Sequence, residues 1–220
     1  MRHPPTDDIS LVLAQTEIAC PPLVPEIPLH LVTARCPWWR SSPEALAAEG
    51  VAEPFWGFAW AGGQALARFL LDHPEVARGR RVLDFGAGSG LAGLAAARAG
   101  AFRAIAADID PVCHAACHLN AALNGLALGF TSHDLVGRPL RVDLVVAGDV
   151  TYDAALTARV LPWLRALAAR GSMVLLADPG RGFLPGAGLV ELARYDAPAD
   201  NDPGFSWPRE TPVFALNPPS

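Results

Sequence analysis

The sequence predicts an α/β fold, a doubly wound and mostly parallel sheet with helices on both faces. Three observations carry that expectation. Strand-length apolar runs alternate with helix-length amphipathic runs between Arg81 and Ala177, and alternation at this length implies right-handed crossovers and parallel pairing. The first of those strands runs into a glycine-rich turn, VLDFGAGSGLAG, from Val82 to Gly93. Finally, later strands end on acids at Asp108, Asp134 and Asp149.

Totals bound the class. A chain of 220 residues suits one domain with a substantial core, and 51% hydrophobic with 18% charged residues points to a globular interior. No run approaches the roughly eighteen apolar residues that span a bilayer. The first ten residues, MRHPPTDDIS, carry two aspartates and no secretory pattern. A cytoplasmic location with no membrane partner is therefore expected. Net charge is −5 and no basic stripe is present, which speaks against a nucleic-acid partner. All 17 basic residues are arginine, a bias that a GC-rich genome explains.

In chain order, Pro21-Pro22 and Pro25 interrupt the first fifty residues, with short strands expected around Glu26 to Thr33. Ser42 caps a short helix with Pro43 in its first turn. Leu66, Phe69 and Leu70 recur at helical spacing, predicting a helix from Gly63 to His73 that stops before Pro74. Strands follow at 81–85, 104–107, 128–131, 142–147 and 172–177, separated by helices at 91–98, 111–123 and 154–169. The tail, through Leu189–Tyr195 and Val213–Leu216, is expected to add a helix and closing antiparallel strands.

Cysteines at 20, 36, 113 and 117 make no disulfide framework. Cys113-His114 and Cys117-His118 lie at i, i+4 spacing, which metal ligands can share. No further ligand cluster accompanies them, so an ordinary helix and no metal are expected.

The glycine turn admits two readings. Gly88-Ser-Gly-Leu-Ala-Gly93 satisfies the dinucleotide pattern, with Asp108 as ribose ligand. Placement weighs the other way, because the strand-end turn is already made at Gly86 and an acid, Asp84, lies within the strand. An acid there suits the cationic methionine portion of S-adenosylmethionine. Asp108 then takes the ribose hydroxyls, and Asp134 accepts from the adenine amine. A nicotinamide-dependent dehydrogenase remains the more remote alternative.

VLDFGAGSG and ADIDP resemble the signature segments of the seven-stranded S-adenosylmethionine-dependent methyltransferases. Asp149-Val-Thr-Tyr152 is similar to the Asp-x-x-Tyr motif of their protein lysine methyltransferase branch. PFWGFAWAGGQALARFL, AGDVTYD and DPGRGFLP, with LVPEIPLHL upstream, resemble the electron transfer flavoprotein beta subunit lysine methyltransferases and their bacterial relatives. Thr151 departs from the aromatic residue common in that family.

The resemblance implies a Rossmann-like, seven-stranded sheet with an antiparallel closing strand. It implies one domain over residues 1–220, with 1–60 an extension over the cofactor and substrate side. It further implies S-adenosylmethionine as cofactor, contacted by Trp60, Asp84, Gly86, Gly88, Asp108, Asp134 and Gly148. Asp149 would anchor the substrate ammonium and Tyr152 would orient the amine or line the channel. Phe55 and Phe58 are expected in the core. The expected substrate is lysine of the electron transfer flavoprotein beta subunit. A ribosomal stalk protein, or a small molecule, is the alternative substrate for the same chemistry.

Overall fold

A computed structural model describes residues 5–48, 50–197 and 210–216. Its centre is a seven-stranded sheet formed by β3 (Arg81–Phe85), β4 (Arg103–Ala107), β5 (Gly129–Thr131), β6 (Leu144–Gly148), β7 (Met173–Ala177), β8 (Leu189–Asp196) and β9 (Glu210–Leu216). The spatial order is β5-β4-β3-β6-β7-β9-β8. Strands β3 to β7 pair in parallel, and β9 pairs antiparallel with both β7 and β8.

The central strands are buried on both faces, β6 through Leu144, Val145, Val146 and Ala147, the pattern expected of parallel strands covered on both sides. One face is covered by α3 (Ala61–Asp72) and α4 (Leu91–Arg98), whose Leu66, Leu70 and Leu94 have no exposed surface. On the other, α6 (Ala154–Ala169) packs Val160, Leu164 and Leu167 against β6 and β7. Asp153 caps α6 by accepting from the Leu156 N–H at 2.8 Å, an ordinary role for an acid at that position.

Ahead of the sheet lie α1 (Thr6–Gln15), the antiparallel pair β1 (Glu17–Ala19) and β2 (Leu29–Leu31), and α2 (Pro43–Ala48). Ser42 accepts from the Ala45 N–H at 3.2 Å, as a capping serine should. Val12, Trp38, Leu46 and Trp56 bury against Cys113, Ala115 and Ala116 of α5 (Val112–Asn124). His30 N–H also donates to Asn120 Oδ1 of α5 at 2.7 Å. The N-terminal segment is thereby fastened to the helix that follows the second parallel strand.

Three expectations are corrected. Leu189–Asp196 is a strand throughout, and the tail supplies no helix among the described residues. The segment sits at the sheet edge with a bulge between Glu191 and Ala193. Helix α1 lies within a stretch read only as a Pro-rich extension. Phe55 is no core residue, being 50% exposed, whereas its neighbour Trp56 is buried.

Candidate active site at the carboxyl edge of the sheet

The chain leaves β3 for β4 and β5 on one side, then returns to β6 on the other. That reversal opens a crevice beyond the carboxyl ends of β3 and β6, where open α/β sheets bind ligands. The glycine turn and Asp149 fall at this point.

Gly86 and Gly88 take φ of +68° and +49°, conformations that glycine enters without a side-chain penalty. A Cβ on Gly88 would lie 3.6 Å from the Phe55 carbonyl oxygen, so its absence leaves a cradle between the turn and the N-terminal segment. Asp108 organises that turn. Its Oδ2 accepts from the Gly88 N–H at 2.9 Å and its Oδ1 from the Asp110 N–H at 3.0 Å.

Asp84 is 3% exposed and accepts from the Gly93 N–H, at the start of α4, at 2.7 Å. Burial pushes its carboxyl up to about 7, opposed by the Gly93 N–H and reinforced by the charge of Asp108. A Cβ at Gly93 would come within 2.9 Å of a Leu128 methyl and 3.1 Å of Asp84 Oδ2. Asp134 lies further out. Its Oδ1 accepts from the Val136 N–H at 3.0 Å and its Oδ2 pairs with Arg159 of α6.

Asp149 has a φ of 58° and is the one non-glycine residue with positive φ among the described residues. Such strain persists only where surroundings enforce it, and it concentrates at functional sites. The surroundings are visible. Oδ2 accepts from the Gly63 N–H at 2.9 Å, and Oδ1 receives Arg181 Nη1 at 2.6 Å. The Asp149 N–H donates to the Ala177 carbonyl at 3.0 Å. Burial raises its carboxyl above the usual range, while Arg181 and then the Gly63 N–H pull it down and Asp178 pushes it up.

Two glycines make this approach feasible. A Cβ on Gly62 would stand 2.5 Å from the Ala177 carbonyl and 2.6 Å from Asp149 Oδ2. One on Gly148 would stand 2.7 Å from the Gly63 nitrogen. The amino end of α3 thus sits directly on the ends of β6 and β7. It has no side-chain cap of its own at Trp60, and Asp149 caps it from another strand, where the helix dipole favours an anion.

Tyr152 is 52% exposed beside this cluster. Partial burial, then the charges of Asp153, Asp108 and Glu53, raise its phenol above the ordinary value, so it stays a neutral hydroxyl at physiological pH. Thr151 is turned inward, 2% exposed, and donates to Asp178 Oδ2 at 2.9 Å. Trp60 donates from Nε1 to the Phe55 carbonyl at 2.9 Å and packs against Phe55 and Phe58, with ring centroids 5.9 and 5.6 Å away.

The edge therefore brings together Asp108 bonded to the Gly88 N–H, Gly86 beside it, and Asp84 bonded to the Gly93 N–H. Across from them stand Asp149 and Gly148 under the amino end of α3, with Tyr152 alongside; Asp134 stands at the rim. Sequence reasoning assigned no role to Arg181, Asp178, Gly62 or Gly63. Their signal was present in the Trp-Ala-Gly-Gly and Asp-Pro-Gly-Arg segments. Cys113 and Cys117 are buried core thiols, their titration raised by burial. His114 stacks on Phe130 at 4.8 Å. Among the described residues no group of three or more His, Cys, Asp or Glu could hold a metal ion, and no helix is long and apolar enough to cross a membrane.

This sheet order, with a glycine turn at its switch point, defines the seven-stranded methyltransferase class. The chain is similar in fold to a ribosomal protein L11 methylase from Lactobacillus delbrueckii subsp. bulgaricus, with a TM-score of 0.51, 21% identity, and coverage of 71% of this chain and 78% of that one. It is also similar to magnesium protoporphyrin IX methyltransferase from Synechocystis PCC 6803, solved with bound SAH, with a TM-score of 0.52 and 16% identity over 70% and 81% of the two chains. The family model described as ribosomal protein L11 methyltransferase (PrmA) matches residues 64–151. Sequence relatives are nearer. The electron transfer flavoprotein beta subunit lysine methyltransferase of Xenopus laevis is 46% identical over 78% of this chain and 70% of its own length, and that of Rattus norvegicus is 40% identical over 80% and 71%. The chain belongs to the electron transfer flavoprotein beta subunit lysine methyltransferase family.

Proposed function

We propose that the protein transfers methyl groups from S-adenosylmethionine to lysine side chains of the electron transfer flavoprotein beta subunit. The observation that carries this reading is the meeting, at one switch point, of the Asp84–Asp108 glycine turn with the Asp149–Tyr152 turn. The two have separate duties and share an edge.

S-adenosylmethionine supplies a methyl group on a sulfonium, to be taken by in-line displacement. The residues present fit it. Gly86 and Gly88 leave backbone room, Asp108 keeps acceptor capacity beyond its two N–H partners for ribose hydroxyls, and Asp84 places an acid near the cationic methionine end. Gly148 lets the amino end of α3 close on the strand end, Trp60 presents an aromatic face suited to a cation, and Asp134, at the rim, would accept from the adenine amine. We read residues 1–60 as an extension over this side within a single domain, the described part of which is fastened through α5.

The chain's own task is positioning. A lysine amine attacks only when neutral, with its proton lost to water as it enters. Asp149 is poorly suited to be a base, because its carboxylate is committed to Gly63 and Arg181. It supplies a buried negative end toward which the ammonium is drawn. Tyr152, held as a neutral phenol, orients the amine lone pair by hydrogen bonding. Thr151, bound to Asp178, points away from this path.

A ribosomal protein substrate is favoured by one observation, the PrmA match. That match spans the cofactor half and stops at Thr151, one residue before Tyr152, so it bears on the cofactor more than on the acceptor. The test is label transfer from radiolabelled S-adenosylmethionine to purified electron transfer flavoprotein and to ribosomal protein L11. Label on the flavoprotein beta subunit is expected. Label on L11 alone would transfer the proposal to the ribosome, and label on neither would remove both substrates.

A further inference from the structure

The buried guanidinium behind Asp149 has no part in the chemistry as derived so far. Arg181 follows β7 in the turn Asp178-Pro-Gly-Arg181, and its side chain is only 7% exposed. Its Nη1 sits 2.6 Å from Asp149 Oδ1 and 3.5 Å from Asp178 Oδ2. The turn that delivers it is itself fixed, since Asp178 Oδ1 accepts from the Gly180 N–H at 2.8 Å and the Arg181 N–H at 2.9 Å. Asp178 Oδ2 then receives the Thr151 hydroxyl. Two cross-links, Arg181 to Asp149 and Asp178 to Thr151, therefore tie the turn after β7 to the turn that carries Tyr152.

We propose that Arg181 is a positioning residue for methyl transfer: its guanidinium fixes the carboxylate and the left-handed backbone of Asp149, and so sets where the Tyr152 turn stands relative to the glycine loop. The proposal rests on the function assigned above.

The physical case lies in the charge balance. Among the described residues, the charged groups facing Asp149 belong to the turn after β7: Arg181 attracts and Asp178 repels. Helix α3 adds the uncharged Gly63 N–H, and the Thr151 hydroxyl of Asp149's own turn goes to Asp178. Removing the guanidinium would leave two carboxylates facing each other in a water-poor site. Under those conditions one carboxyl takes a proton, and a protonated Asp149 loses its hold on a cationic substrate. The ion pair also offsets the strain of a non-glycine residue at φ 58°. An arginine suits this double contact because its charge persists at any working pH and it donates in two directions. Breaking a buried pair from one side leaves an uncompensated charge, so the effect should be large and should depend on pH.

The test compares wild type, Arg181→Gln and Arg181→Lys. Rates of flavoprotein methylation are measured from about pH 6 to pH 9.5, with S-adenosylhomocysteine affinity by calorimetry and carboxyl carbon-13 NMR titration of Asp149. Expected for Arg181→Gln is a loss of kcat/KM of about tenfold or more at pH 7, because a protonated Asp149 no longer holds the cationic substrate. Much of that loss should recover at high pH, the Asp149 titration should move up, and cofactor-product affinity should stay within about threefold of wild type. Arg181→Lys keeps the charge and should keep the wild-type pH profile with a smaller loss; it also serves if the glutamine variant fails to fold. An unchanged Asp149 titration, or an activity loss equal at every pH, overturns the proposal. If wild type fails to methylate the flavoprotein, the assigned function falls, and the NMR titration alone then decides the role of Arg181.

Discussion

The backbone N–H of Gly63 donates to Asp149 Oδ2 at 2.9 Å across 86 residues of sequence. That contact joins the first helix of the sheet domain to the turn proposed to receive the substrate. It requires a neighbour without a side chain, and the first prediction concerns that neighbour.

Gly62→Ala should be costly. Its Cβ would meet the Ala177 carbonyl at 2.5 Å and Asp149 Oδ2 at 2.6 Å, both on structures held by further hydrogen bonds. Overpacking of this kind costs about 1–3 kcal/mol. The helix should be pushed off the sheet edge, with methyl transfer reduced more than stability. Gly63→Ala meets nothing within 4 Å and should leave stability equal to wild type or higher by up to about 1 kcal/mol. Thermal unfolding of the pair, run side by side, checks both halves.

Asp84 links stability to pH. Its folded carboxyl is raised from an ordinary 3.8 to about 7, so between those values the folded state binds more protons than the unfolded state. Stability contributed by Asp84 is complete below about pH 4 and is lost as pH rises through 7. Asp84→Asn removes that penalty while keeping an acceptor for the Gly93 N–H. The variant should exceed wild type in stability by about 4 kcal/mol at pH 8 and by only about 1 kcal/mol at pH 4.5. Its S-adenosylhomocysteine affinity should fall. Denaturant melts at the two pH values read the first effect and calorimetry the second; equal gains at both pH values would refute the linkage.

The Asp84–Gly93 pair also shows how much was legible in advance. The strand at 81–85 and the helices at 91–98 and 154–169 lie where their periodicity puts them, and the glycine turn marked the switch point. Local chemistry announces itself locally. Arg181 and Asp149 lie 32 residues apart on separate turns, and an ion pair between two loops leaves no period to detect. The tail failed for another reason. Val190 and Leu192 are exposed at 45% and 42% on an edge strand, so burial does not impose the clean alternation that distinguishes strand from helix. The wrong placement of Phe55 is similar, because aromatic composition says nothing of which ring covers the site and which fills the core.

Tyr152→Phe separates chemistry from folding. The hydroxyl lies on a half-exposed ring, so unfolding stability should change by less than about 0.5 kcal/mol. Loss of the orienting hydrogen bond should lower kcat by about tenfold to a hundredfold, with little change in cofactor affinity. Unchanged kcat would reduce Tyr152 to a wall of the channel.

The most direct measurement is tandem mass spectrometry of the electron transfer flavoprotein beta subunit after incubation with S-adenosylmethionine and either wild type or Asp149→Asn. Asparagine tolerates the left-handed backbone, removes the charge and keeps one of the two acceptors that serve the Gly63 N–H and Arg181. The account predicts methylated lysines with wild type and at least a hundredfold fewer with the variant, while both proteins bind S-adenosylhomocysteine comparably. Methylation by the variant at the wild-type rate would contradict the claim that Asp149 forms the acceptor end of the site.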